Sequence, residues 1–359
     1  MRQHKLLSSS FVSKWQRKVD QMRQILTAAH QLYDAGEYDD ALNCYRQADN
    51  MCALCYRNAN SKGRRQLIAG IHLNLTKDMG DCLYRQGQFT GALQFYTFAL
   101  QIWQPLRGCA NSQNSLWKDM GDCRYSLDDI DGASRFYQSA LQSGRRQRDR
   151  NAVAQSLCDL GDCSRRLENF TLAEQRYQKA LKLVETAGAQ VSTLALKGEI
   201  YEGLGELCYR RQDYKKACDL FEKALEAKSR THGPGDPGLR DIWLRLSQLY
   251  ILEQRSTKAV PHLEKLVTML RRFEPDSLET ARVKHRLAQY LAVQGRHCEC
   301  AALCQEATSV FEKHLAPASG ELRGCLLSQG NALCWLERFK EAEQIGRRLL
   351  EPDSSEGLH

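Results

Sequence analysis

The sequence predicts an all-α chain, a right-handed superhelical solenoid of about eight helix-turn-helix repeats. Three observations carry this. A pattern of small and aromatic residues returns along nearly the whole chain at intervals of 40 to 44 residues, after a longer first interval of 51. Within each copy the apolar positions recur at helical offsets. Only 7 prolines occur in 359 residues, and no stretch is rich in β-formers.

The second helix of each copy opens on a small residue: Ala41, Ala92, Ala133, Ala173, Ala217, Ala259, Cys300 and Ala342. Twelve positions earlier, in the first helix, stands another: Ala29, Gly80, Gly121, Gly161, Gly205, Ser247, Ala288 and Gly330. Four positions after the opening residue come Tyr45, Tyr96, Tyr137, Tyr177 and Phe221, and three further on Ala48, Ala99, Ala140, Ala180 and Ala224. Offsets of four and seven lie on one helical face. Small residues let the two helices approach, and the aromatic ring fills the space beside them. One such hairpin cannot bury its apolar face alone; stacking its neighbours makes a continuous core.

The last three copies replace the aromatic with Leu263, Cys304 and Gly346. The first interval carries about nine extra residues around Asn50 to Arg65, which form either longer helices or a protruding loop. Three segments are expected: a basic stretch at 1–21 leading as a helix into the first repeat, the solenoid at 22–350, and a disordered tail at 351–359. The basic stretch has no acid before Asp20, so a mitochondrial transit segment is the alternative.

No apolar run approaches the roughly 18 residues of a membrane span, and no secretory core is visible. A cytoplasmic location, cytoskeletal or ciliary, is expected. Of the 15 cysteines, Cys82, Cys123 and Cys163 share one repeat position, which fits small buried thiols rather than disulfides. Cys300 and Cys304 likewise fall on packing positions. The cluster His297, Cys298, Cys300 and Cys304 is therefore read as core, with a metal site as the alternative. The net charge is +8, and the densest basic run, Gly144 to Arg150, falls in the linker after the third copy. No phosphate loop, zinc-protease motif, nucleophile elbow or dinucleotide fingerprint occurs, so no catalytic residue, metal or cofactor is assigned.

The copies at Gly80, Gly121, Gly161 and Gly205 carry the small and aromatic signature of the tetratricopeptide repeat, and the chain resembles that family over residues 22 to 350. Its long units resemble those of kinesin light chains and nephrocystin-like proteins. The linker His232-Gly233-Pro234-Gly235-Asp236-Pro237 also resembles that subclass, with Asp236 in the place of its His. The resemblance implies that first helices line a concave groove. Carried over residue by residue, the second copy offers Lys77, Asp78, Asp81, Tyr84 and Arg85. The third offers Lys118, Asp119, Asp122 and Tyr125, and the fourth Asp159, Asp162, Arg165 and Arg166. The fifth offers Glu202, Glu206, Tyr209 and Arg210.

Asp78 and Asp81 share a helix face, as do Asp119 with Asp122 and Asp159 with Asp162. Two readings stand side by side. The acids accept a partner peptide or helix bearing basic residues, or Lys77, Lys118, Arg165 and Arg210 neutralise them internally. Chaperone-binding members hold a carboxylate with an Asn one place after the small residue. Here Asp81, Asp122, Asp162 and Glu206 occupy that place and repel one, and only Asn331 fits. The expected function is a non-catalytic scaffold for protein partners. RNA binding is the alternative, disfavoured by the acidic groove, and self-association through the stack ends is compatible with the scaffold.

Overall fold

The computed structural model describes residues 2–106, 110–186, 191–231, 237–253 and 255–350. The chain forms two compact units that divide at residue 188. The first holds α1 (Arg2–Asp34), α2 (Tyr38–Arg57), α3 (Lys62–Arg85), α4 (Phe89–Leu106), α5 (Ala110–Ser126), α6 (Ile130–Gln147), α7 (Arg150–Arg166) and α8 (Phe170–Glu185). The second holds α9 (Val191–Arg210), α10 (Tyr214–Ser229), α11 (Arg240–Leu252), α12 (Ser256–Phe273), α13 (Leu278–Val293), α14 (His297–His314), α15 (Gly320–Trp335) and α16 (Phe339–Leu350). Among the described residues there is no strand. The helices pair as hairpins at the eight predicted copies, and within each unit consecutive hairpins stack.

Hairpin closure has one recurring cause. Five residues before the opening small residue the backbone turns left-handed in seven copies among the described residues, at Gly36, Gly87, Asp128, Glu168, Gln212, Gly295 and Glu337. The next residue's N–H reaches back to the first helix, as in Asp129 to Arg124 O at 2.9 Å and Asn169 to Ser164 O at 2.8 Å. This satisfies the free carbonyls of the helix end. Asp129, Asn169 and Asp213 then cap the second helix through their side chains.

Inside the hairpin the ring lies against the small residue. A methyl on Gly121 would meet the Tyr137 ring at 2.4 Å, and Gly80, Gly161 and Gly205 are equally close to Tyr96, Tyr177 and Phe221. In two of the three copies without the ring the glycine gains a side chain, Ser247 with Leu263 and Ala288 with Cys304, all four fully buried, whereas Gly330 goes with Gly346.

The long first interval is resolved as longer helices. α2 has 20 residues and α3 has 24, joined by a short turn at 58–61. Trp15, Val19 and Met22 are buried, so core packing begins within the 1–21 segment. The basic run is not a linker: α6 continues to Gln147 and α7 starts at Arg150, leaving Arg148 and Asp149 as the turn. Cys82, Cys123, Cys163, Cys300 and Cys304 are buried thiols. The 232–236 part of the proposed linker and the 351–359 tail lie outside the described residues.

Two glycines at the same repeat position are expected to respond oppositely to alanine. Gly121→Ala forces the Tyr137 ring out of a closed site and costs about 2 kcal/mol or more. Gly330→Ala meets only Ile345, at an ordinary 3.5 Å, and is neutral or stabilising by about 0.5 kcal/mol. Urea midpoints of the two variants check this; equal midpoints would contradict the close ring contact.

Candidate functional site

In the first unit α3, α5 and α7 are the first helices of successive hairpins, and their repeat positions face one another. Lys77 lies 2.8 Å from Asp81 on its own helix and 3.1 Å from Asp119 on the next. Lys118 repeats the move, 2.7 Å from Asp122 and under the attraction of Asp159. Each lysine thus joins the acid one turn along its helix to the acid of the following repeat. The ladder stops where its residue type stops. In the fourth copy Cys158 stands in the lysine position, and Arg165 serves Asp162 at 3.0 Å instead. In the first copy the position is Leu26, and His30 meets Asp78 at 3.2 Å.

The second acid of each pair has a further bond that the sequence reading missed. The Tyr96 hydroxyl donates to Asp81 at 2.6 Å, Tyr137 to Asp122 at 2.8 Å and Tyr177 to Asp162 at 2.8 Å. The packing tyrosine of the second helix therefore passes its hydroxyl through to the face of the first. The signal was available: an Asp one place after the glycine always accompanies a Tyr sixteen places after it. In the fifth copy the ring is Phe221, with no hydroxyl. There Glu206 pairs with Arg245 at 3.1 Å and Arg210 at 3.4 Å, while Glu202 pairs with Lys228 at 2.6 Å.

Burial governs the electrostatics. It lifts Asp119 from its ordinary 3.8 to about 6, against the pull of Lys77. It lifts the more deeply buried Asp159 to about 8, against Lys118. Asp159 is 9% exposed; one oxygen accepts from Gln155 at 3.0 Å and the other has no hydrogen bond. Burial also disfavours the charge of Lys77 and Lys118, but their aspartates outweigh it and keep both protonated.

A polar cleft of about 280 Å³ opens on this face between α1, α3 and α5. Lys77, Asp81, Asp119 and Asp122 lie along it, with Tyr33, Tyr84 and Arg85 at the side. Arg85 donates to the Tyr33 hydroxyl at 3.2 Å, and Tyr84 meets Ser126 at 3.3 Å. Tyr33 holds the same offset in the first copy as Tyr84 and Tyr125 in theirs, yet was not picked from sequence. Further along, Arg166 covers the Tyr125 ring and pairs with Asp128. In the second unit Arg245 covers Tyr209 at 4.9 Å. The expected site residues thus form two sets, one on each unit.

Family models of the tetratricopeptide repeat match residues 110–186, 197–272 and 158–232. Tetratricopeptide repeats are thus matched over the middle of the chain, between residues 110 and 272. A comparison with curated proteins finds no match in sequence. Among solved structures, the chain is similar to the apo form of the quorum sensor NprR from B. thuringiensis. That match has 15% identity and a TM-score of 0.51, and covers 92% of this chain and 86% of that one. BtubC from P. vanneervenii is 18% identical with a TM-score of 0.44, covering 64% and 93%. A kinesin light chain with nearly identical repeats from Podosopora anserina is 15% identical with a TM-score of 0.41, covering 54% and 92%. At these identities the likeness is one of fold. No helix among the described residues is long and apolar enough to cross a membrane.

The buried aspartates set a pH dependence. A carboxyl whose folded pKa lies above its unfolded value binds more protons when folded, so stability falls as pH rises between the two values. For Asp159 the window runs from 3.8 to about 8, and Asp119 adds the same sign from 3.8 to about 6. Asp159→Asn removes the larger contribution. Its melting temperature is expected to fall less than wild type across that window, with a relative gain of roughly 1–3 kcal/mol at the alkaline end. Parallel melting curves for the two proteins would refute this.

Proposed function

We propose that the chain is a non-catalytic scaffold and that the face made by α3, α5 and α7 receives a partner peptide through a basic side chain. The observation that carries this is a surplus of carboxylate. Asp81, Asp119 and Asp122 share two ammonium groups, those of Lys77 and Lys118. An incoming Arg or Lys completes their coordination, because each carboxylate accepts more bonds than one lysine supplies. Tyr33 and Tyr84 flank the cleft and offer ring faces to the same cation. The tetratricopeptide repeats matched between residues 110 and 272 support a protein partner.

The acids themselves are poor test positions, since Asp81 and Asp122 also hold the packing tyrosines. Tyr84 is the better one. A random peptide library is displayed against the purified chain, and the enriched peptides are measured by fluorescence anisotropy. Enrichment of Arg or Lys is expected, with about tenfold weaker binding to Tyr84→Ala. Arg85→Gln, which removes a competing cation at the mouth, is expected to bind at least as well as wild type. Enrichment of acidic peptides that depend on Arg85 would reverse the polarity of the site.

A further inference from the structure

The lengthened first interval builds a second cleft, on different surfaces of the same unit. The C-terminal half of α2 and the C-terminal half of α4 form its walls, and the N-terminal half of α3 its floor. Its volume is about 500 Å³, in the range that holds a ligand or the side chains of a docked segment. The interior is apolar: Cys52, Ala53, Ile68, Ala69 and Ile102 line it. Tyr56 lines it too and Phe98 borders it beside His72, both 48% exposed. The floor from Lys62 to His72 is about 15 Å long at the rise of an α-helix.

Charge is distributed along this cleft with one sign at one end. Arg57, Lys62 and Arg65 stand at the α2–α3 turn, and among the described residues none of them pairs with a carboxylate. Their neighbour Arg64 is occupied, lying over the Trp15 ring and donating to Asn60. The far end is closed by His72 against Asp49 at 3.1 Å. On the first-helix face of this unit, by contrast, Lys77, Lys118 and Arg165 have acidic partners. Three cations without counter-charges at the mouth of an apolar trough define the complement they lack.

We propose that this cleft binds an amphipathic helix of a partner protein, its apolar stripe on Tyr56, Ala69 and Ile102 and its acidic end against Arg57, Lys62 and Arg65. About ten residues of helix span the floor, enough for apolar side chains at i, i+4 and i+7. Carboxylates at one end make charge-assisted bonds to the three cations and fix the direction of docking. The site shares no residue with the tyrosine-lined cleft and stands whether or not that cleft binds a basic peptide.

The experiment uses the full chain and three labelled helical peptides of about 18 residues, long enough to hold a helix. They share one leucine face and carry Glu, Gln or Lys at the remaining positions near one end. Fluorescence anisotropy at low ionic strength is expected to show the Glu peptide binding about tenfold more tightly than the Gln peptide, and the Lys peptide not at all. Two variants leave the core untouched. Arg57→Glu with Lys62→Glu is expected to weaken the Glu peptide about tenfold or more, and Ala53→Trp, which fills the trough from its exposed rim, to abolish binding. Tyr84→Ala is expected to change nothing. Failure of the Glu peptide to bind, equal binding of all three peptides, or loss on Tyr84→Ala without loss on Ala53→Trp overturns the proposal.

Discussion

One aromatic ring pressed against one backbone is the contact on which the rest of this fold depends. In the hairpins of Gly80, Gly121, Gly161 and Gly205 the ring approaches closer than a methyl would allow. That approach sets the distance between the two helices of a hairpin, and so the width of the apolar seam offered to the next one. It also sets the polar face. A tyrosine seated on the glycine ends with its hydroxyl at the acid of the next residue, so packing and surface chemistry are fixed by a single side chain. Where phenylalanine replaces tyrosine, at Phe221, the acid turns to Arg245 and the local network is rebuilt from another hairpin.

The same constraint explains why the acidic ladder is not simply an acidic groove. With the tyrosines pinning Asp81 and Asp122, the lysines three places before Gly80 and Gly121 are left between neighbouring helices. There they bridge the acid of their own helix and the acid of the next. Burial then works against the charges left without a full set of partners, most strongly at Asp159. The face is best described as a polarised network, stiff on its second-helix side and open toward Tyr33 and Tyr84. The cleft at α2, α3 and α4 has the opposite construction, with cations that pair with no carboxylate among the described residues and an apolar floor.

The number of hairpins and the identity of the packing residues were legible in the sequence because each is a local, repeated demand. A helix pair needs a small residue, a ring and a small residue at set offsets, and Gly80, Tyr96 and Ala99 supply them as plainly as Gly121, Tyr137 and Ala140. The left-handed turns were only half legible. Gly36, Gly87 and Gly295 announce themselves, but Asp128, Glu168, Gln212 and Glu337 adopt the same conformation because the closing hydrogen bond and the packed helices on both sides hold it there. That Asp78 with Asp81, Asp119 with Asp122 and Asp159 with Asp162 share a helix face followed from their offsets, while the partners of their charges did not.

The sequence by itself therefore determined an all-α repeat chain, the residues of its core and the residues that its first helices present. Tertiary structure decided the rest. Whether Lys77 answers Asp81 alone or Asp119 as well depends on the spacing between helices 41 residues apart in register, which no local pattern encodes. Whether nine extra residues make a loop or two longer helices depends on what α4 and α1 leave open around them. The apolar trough beneath Arg57, Lys62 and Arg65 exists only because three helix ends converge there, and convergence is a property of the packed chain.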